Sequence, residues 1–340
     1  MGVSELIEQD LQSFCCSNLD KFSFFSKKTI VVTGASGLIG TYALALFKKL
    51  WEKGIRFKLF PIVRSNEPII DLSLLDAQII KLDLSNFDDY SKLPNADLVI
   101  HTAGYGQPMR FMADAASTLA INTSATNALL QKLNTGGTFI FASSVELYTD
   151  GPNPPFSEND IGQTNPYHPR SPYIEGKRCG EAICNAFAAQ GVRAISIRFG
   201  DIYGPGARSD DKRAVNNFID KAIKHKRIEM LDSGSAVRTY LYVADAVETL
   251  IRIVLSGREK LYNVADDVPV RICEIAERIA KELNVPLIFP TVTQGVAGAP
   301  HNLVVSLSRV EGEFGKINSV SLEEGLAKTI RWRRELLKDR

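Results

Sequence analysis

Val31, Val32 and Thr33 break into glycines at 34, 37 and 40 and run directly into an apolar periodic stretch over 38–50. This order of apolar strand, glycine turn and helix constrains the fold more than any other feature of the chain. It predicts a strand over 29–33 and a helix over 38–50, joined so tightly that the backbone N–H groups of the helix start converge on one point. Such a point suits a pyrophosphate, because those N–H groups lack intrahelical acceptors and the helix dipole favours negative charge there. Gly34 permits the turn, Gly37 lets phosphates approach, and Gly40 lets helix and strand pack closely. A tight loop reads the same way in isolation, so the rest of the chain must decide.

From 29 to about 198, apolar strand-like runs alternate with longer helical patterns, the rhythm of a parallel sheet covered on both faces. Strands are predicted over 29–33, 58–63, 79–83, 98–102, 138–143 and 193–198, and helices over 38–50, 118–133 and 173–190. Prolines at 152, 154, 155, 166, 169 and 172 mark 149–172 as a long loop placed to cover a site. Beyond 198 the rhythm loosens. A glycine- and charge-rich segment over 201–213 leads to a helix over 214–226, an extended piece over 237–242 and a helix over 243–255. Residues 261–264 are expected to return to the large sheet, and 271–283 and 319–337 to be helical. The expected organisation is an amino-terminal extension over 1–28, a first domain mainly over 29–200, and a smaller lobe mainly over 201–340 that sends segments back to the first. In the extension, Leu6, Ile7, Leu11 and Phe14 have helical spacing and are expected to pack on the main body or on a neighbouring subunit.

At 340 residues, 45% of them hydrophobic, the chain can build a large core and a second lobe. Its 40 Lys and Arg against 39 Asp and Glu give a net charge of +1. No broad field therefore points to nucleic acid or an anionic membrane, and an anionic ligand needs a local site. Cysteines at 15, 16, 179, 184 and 273 show no paired metal-ligand spacing and leave one unpaired under full oxidation. We expect no metal site and a reducing, cytoplasmic location. The first 28 residues lack a basic flank followed by a long apolar stretch, so neither secretion nor membrane spanning is expected.

Tyr173 and Lys177 lie four residues apart and share a helix face. An ammonium close to a phenol stabilises phenolate, and a phenol tuned this way takes a proton from a hydroxyl as hydride leaves its carbon. Phe141 to Ser144 read as a strand ending in two hydroxyls, able to hold a substrate oxygen beside the phenol or to cap a turn. Glu146 follows as a second acid/base or as a solvent-facing carboxylate.

Together these residues resemble the extended short-chain dehydrogenase/reductases, particularly the NAD-dependent nucleotide-sugar epimerases, dehydratases and UDP-glucuronate decarboxylases. The likeness spans about 28–330. It includes the glycine turn, His101-Thr102-Ala103, Asn122, Ser143-Ser144, Tyr173 with Lys177, Tyr203-Gly204-Pro205, and Arg238 ahead of Tyr242-Val243-Ala244-Asp245. It implies an α/β fold with a Rossmann-type parallel sheet and a smaller carboxy-terminal substrate-binding lobe. It further implies Ser144 and Tyr173 as catalytic residues, with Lys177 also on the nicotinamide ribose. Gly34, Ser36, Gly37, Leu38, Ile39 and Gly40 would contact the cofactor, with Asp83 and Leu84 near adenine. Arg213, Asn217 and Arg238 would bind the nucleotide-diphosphate sugar, the arginines suiting a diphosphate. A homodimer is implied as well, built on the helices over 118–133 and 173–190.

Two positions depart from that pattern. Arg64 stands where an acidic residue usually binds the NAD ribose, so it either attracts the phosphate of NADP or covers the adenine. Val145-Glu146 stands where the 4,6-dehydratases carry Asp-Glu, which disfavours simple dehydration, while Glu146 matches the glutamate of the decarboxylases. The leading expectation is an NAD-dependent nucleotide-sugar epimerase or decarboxylase working through a 4-keto intermediate, with a UDP-hexuronate as the specific candidate substrate. The alternatives are an NADP-dependent reductase of a nucleotide 4-keto-sugar and a non-catalytic nucleotide-sugar-binding protein.

Overall fold

The computed structural model describes residues 3–291, 298–316 and 320–338. The amino-terminal extension forms α1 (Val3–Asp10) and α2 (Gln12–Ser17), then a 3-10 turn over Leu19–Phe25. Leu6, Ile7, Leu11 and Phe14 are all buried, and the last three join the main core.

The large sheet is built from β1 (Thr29–Thr33), β2 (Lys58–Val63), β3 (Ile80–Lys81), β4 (Ala96–His101), β5 (Leu133–Ser144), β6 (Arg193–Phe199) and β11 (Leu261–Val264). Its order is β3-β2-β1-β4-β5-β6-β11, with every pairing parallel. Helices α3 (Leu38–Glu52), α4 (Pro108–Ala113), α5 (Ala115–Asn122), α6 (Ser124–Gln131) and α7 (Ser171–Ala189) connect the first six strands. Because β1 is flanked by β2 and β4, the winding reverses between β1 and β4. In such sheets the crevice beyond the carboxyl ends of the strands at that reversal is where ligands bind. Thr33 and His101 are register partners there, and Thr33 Oγ1 lies 2.6 Å from His101 Nδ1.

The glycine turn follows β1 into this crevice. Gly34 has φ +64° and a Cβ on it would lie 2.7 Å from the Ala103 nitrogen, so the turn requires glycine. A Cβ on Gly40 would overlap the Gly34 carbonyl, which shows how closely α3 packs on the turn.

The carboxy-terminal elements outside the large sheet are β7 (Asp201–Tyr203), α8 (Ala214–His225), β8 (Ile228–Glu229), β9 (Val237–Arg238), β10 (Tyr240–Tyr242), α9 (Val243–Ser256), β12 (Val270–Arg271), α10 (Ile272–Leu283), β13 (Leu287–Ile288), α11 (Ser308–Phe314) and α12 (Leu322–Lys338), of which α9 packs on α3 and α11 on β11. β7 pairs with β10, β9 with β12 and β8 with β13, while α8, α10 and α12 pack on one another. The Arg333 guanidinium of α12 is fully buried against Asp220 of α8 and holds the Arg208 carbonyl at 2.7 Å. Beside it, Trp332 Nε1 donates to the Ala207 carbonyl at 3.0 Å. Asp10 ties the extension to α3, β10 and α12, accepting from Tyr42 Oη of α3 at 2.7 Å, Tyr242 Oη at 2.6 Å and Lys328 Nζ of α12 at 2.9 Å.

Several sequence expectations are corrected. The helix expected over 118–133 is two helices, broken at Thr123, whose hydroxyl bonds the Leu119 carbonyl at 2.8 Å and whose ψ is −76°. Residue 133 already belongs to β5, five residues ahead of the expected strand start. The strand expected over 79–83 shrinks to two residues, because it is an edge strand paired only with β2. Pro172, expected in the loop, sits in the first turn of α7, where its missing N–H costs nothing. Ser319, the expected start of the last helix, lies outside the described residues, and α12 begins at Leu322. Among the described residues no helix is long and apolar enough to cross a membrane.

Candidate active site

Two adjoining cavities of about 270 and 630 Å³ open along the carboxyl ends of the strands and share Gly37, Thr102, Gly104, Tyr105, Arg110 and Arg208. The outer cavity is lined by Gly34, Ser36, Arg64, Asp83 and Leu84, the inner one by Leu38, Ile39, Gly40, Ser144, Glu146, Tyr173, Lys177 and Arg213. Of the expected site residues, only Asn217 and Arg238 are missing from these walls.

The residues of the outer cavity fit a dinucleotide. No side chain caps the start of α3, so its first N–H groups are left for a ligand anion. A Cβ on Gly37 would meet only the Gly34 carbonyl, at 3.1 Å, so the space beyond that backbone is open. Arg64 bonds the Tyr105 hydroxyl and lies over its ring. The Asp83 carboxylate accepts from the Ser85 amide at 2.9 Å and hydroxyl at 2.7 Å.

In the inner cavity, Tyr173 and Lys177 share a face of α7 as expected, but the expected tuning of the phenol is corrected. Lys177 Nζ donates to the Ala142 carbonyl at 2.5 Å and lies over the Phe141 ring, 5.8 Å from the centroid of the Tyr173 ring. Burial pushes the Tyr173 phenol up to about 12, aided by the Glu146 charge and opposed by a hydrogen bond with Ser144 and by Arg213. Burial also pushes Lys177 down to about 7, which weakens it as a permanent counter-charge. Ser144 both bonds the phenol and caps the turn that follows, accepting from the Glu146 amide at 3.2 Å. Ser143 instead turns to Glu181, at 2.5 Å.

Glu146 is no solvent-facing carboxylate. Burial raises its pKa, with Arg170 opposing, and Oε1 accepts from Arg170 Nη1 at 2.6 Å while Oε2 is buried without a partner. The sequence reading overlooked Arg170. Its buried guanidinium also lies 5.5 Å from the centroid of Phe111, which in turn stacks on Tyr173 at 4.6 Å and 13°. The available signal was its place one helical turn before Tyr173, at the end of the proline-rich loop. Phe111, Arg110 and Arg208 reach the site on loops and on short α4, where nothing local marks them.

Among the expected substrate contacts, Arg213 is presented to the cavity and is held by Asp211, with Nη2 2.6 Å from Oδ2. Arg238 is buried, its Nη2 on the Pro300 carbonyl at 2.6 Å and its Nη1 on that of Val237 at 2.8 Å. Asn217 lies one residue beyond the buried Asn216, which hydrogen-bonds Asp211.

A family model described as the NAD dependent epimerase/dehydratase family matches residues 30–265. UDP-glucuronic acid decarboxylase 1 of Xenopus tropicalis is 29% identical over 317 residues, 92% of this chain and 73% of that protein. The dTDP-4-dehydro-6-deoxy-D-allose reductase of a Streptomyces species is 27% identical over 321 residues, 90% of this chain and 96% of that protein. The solved structure of MoeE5 in complex with UDP-glucuronic acid and NAD superposes with a TM-score of 0.74 at 24% identity, over 90% of this chain and 99% of that one. With its glycine cradle, its Ser144, Tyr173 and Lys177, and a match over most of its length, the chain belongs to the NAD-dependent epimerase/dehydratase family.

Proposed function

We propose that this protein is an NAD-dependent nucleotide-sugar enzyme of the epimerase/decarboxylase type, working through a 4-keto sugar and taking a UDP-hexuronate. The observation that carries this reading is Glu146, a half-buried carboxylate with one oxygen on Arg170 and the other buried and unpartnered, in the same cavity wall as Ser144 and Tyr173. Proton transfer at a sugar hydroxyl needs only the phenol and its serine. A second acid/base group, its pKa raised by burial, suits a later step in which a sugar carbon must be protonated.

The nicotinamide cofactor, when bound, would take hydride from C4 and return it. The chain's own residues do the rest. Leu38 and Ile39 offer backbone N–H groups to the pyrophosphate, Arg213 offers a guanidinium to the nucleotide diphosphate, and Tyr173 with Ser144 handles the proton of the 4-hydroxyl. Once C4 is a ketone, a C6 carboxylate is β to it. The C5–C6 bond then breaks with its electron pair delocalised toward the C4 oxygen, and carbon dioxide leaves. Glu146, which takes up a solvent proton once substrate is bound, is the group placed to pass that proton to C5. Relatives that are UDP-glucuronic acid decarboxylases, and a like-folded protein seen with UDP-glucuronic acid and NAD, support this choice of substrate.

Incubation with UDP-glucuronate is expected to release carbon dioxide without net NADH and to leave a sugar shorter by one carbon. An intact carbon count with inversion at C4 makes the enzyme an epimerase instead. A second reading, reduction of a nucleotide 4-keto-sugar with NADP, is favoured by Arg64 in the outer cavity wall and by the reductase among the relatives. NADPH consumption with a 4-keto sugar, and none of the carbon dioxide, selects it.

A further inference from the structure

Arg170 sits at the hinge between the two acid/base groups of the site. It is the residue that precedes α7, so the Tyr173 and Ile174 amides both close on its carbonyl at 3.1 Å and fix its backbone one turn from the phenol. Its guanidinium reaches Glu146 Oε1 at 2.6 Å and covers one neighbour of Tyr173, the Phe111 ring. Both residues of the ion pair keep an unsatisfied buried atom, Arg170 Nε and Glu146 Oε2. A pair kept for stability alone is poorly served by such an arrangement, since a buried ion pair compensates its desolvation only when its remaining polar atoms are also satisfied.

We infer that Arg170 is a positioning residue: it pins one oxygen of Glu146, holds that group as a carboxylate until substrate arrives, and leaves the second oxygen for the sugar. The role rests on the proposed chemistry of Glu146, but the geometry of the pair does not. The charges facing Glu146 are Arg170 at the start of α7, Asp201 on β7 and Arg238 on β9, with the Tyr173 phenol on α7 itself. Arg170 and Arg238 favour the ionised carboxylate; Asp201 and burial oppose it. Removing Arg170 therefore leaves a net push toward protonation, so the midpoint of Glu146 must rise. An opposite charge this near moves a carboxyl by about 1–3 pH units.

The test is an isotope-edited infrared titration of the full-length protein, with the band of Glu146 identified as the one that Glu146→Gln deletes. Arg170→Gln is expected to raise its midpoint by about 1–3 pH units, and Arg170→Lys to restore part of the difference. Phe111→Leu, which removes no charge but takes away the ring under the guanidinium, should move it the same way by less. This second variant decides the matter if Arg170→Gln does not fold. An unmoved midpoint in the folded variants, whatever their loss of stability, overturns the inference and leaves Arg170 a structural residue. A raised midpoint supports it even if no UDP sugar is turned over, in which case it is the proposed function that fails. With turnover of UDP-glucuronate, the pH limb governed by Glu146 should move upward by the same amount in Arg170→Gln, with kcat falling and KM little changed.

Discussion

Arg333→Ala is expected to be among the most damaging single substitutions outside the cavity, and the structure gives its size. The guanidinium is fully buried and makes three bonds to Asp220, at 2.5, 2.6 and 2.9 Å. It also donates to the carbonyls of Arg208 at 2.7 Å and Ser209 at 3.3 Å. Removing one partner of a buried pair costs about 3–5 kcal/mol, because the other is left charged and dry. Asp220 keeps Lys212 at 3.1 Å, a half-exposed ammonium, which argues for the lower end, about 3 kcal/mol. With a urea m-value of about 3 kcal/mol/M for a chain of this size, the midpoint should fall by about 1 M. Arg208, Asp211 and Arg213 stand on the segment that Arg333 anchors, so UDP affinity measured calorimetrically should fall too. The double substitution Arg333→Met with Asp220→Leu removes the orphaned charge and should recover most of the stability but not the affinity. A urea midpoint within about 0.3 M of the wild type for Arg333→Ala, or a double variant no more stable than the single, would refute the reasoning.

Tyr173→Phe should keep the fold, since the stack on Phe111 needs only the ring, and should lose nearly all turnover; normal kcat in steady-state assays defeats the assigned proton transfer. His101, buried between Thr33 and the Ile121 carbonyl, is pushed down to about 3 by burial and then by Lys177. A depressed folded pKa contributes stability that is present above the unfolded value near 6.5 and is lost as pH falls toward 3. About 2 kcal/mol should disappear between pH 6.5 and 5, and His101→Gln should flatten that part of a urea-stability profile. The helices α5, α6 and α7 are expected to pair with a second copy of the chain, with Leu119, Cys179 and Ala182 exposed on them. Light scattering that gives a fully active monomer at micromolar concentration counts against that assembly.

Most of the backbone plan was legible because it is written in local periods. The strands over 29–33, 58–63 and 261–264 come out with the expected bounds, since a buried parallel strand is a short apolar run between turn signals whatever surrounds it. The glycine turn was legible for a similar reason, its steric needs being met within a few residues. Where the sequence misled, a side chain or a neighbour intervened: Thr123 bonding backward to split a helix, or an edge position shortening β3.

The candidate residues themselves, Ser144, Glu146, Tyr173 and Lys177, were likewise readable from type and spacing, but their electrostatics were not. Whether Lys177 lowers the phenol of Tyr173 depends on where its flexible chain finds an acceptor, and that acceptor, the Ala142 carbonyl, comes from a strand 35 residues away. Whether Glu146 has a charged partner depends on Arg170, delivered by a proline-rich loop that has no period to read. Arg213 reaches the cavity while Arg238 is drawn onto backbone carbonyls, though both are arginines of the carboxy-terminal part of the chain. Local pattern follows from the covalent order of the chain. Desolvation and charge pairing vary steeply over a few ångströms, and only the tertiary packing sets those distances.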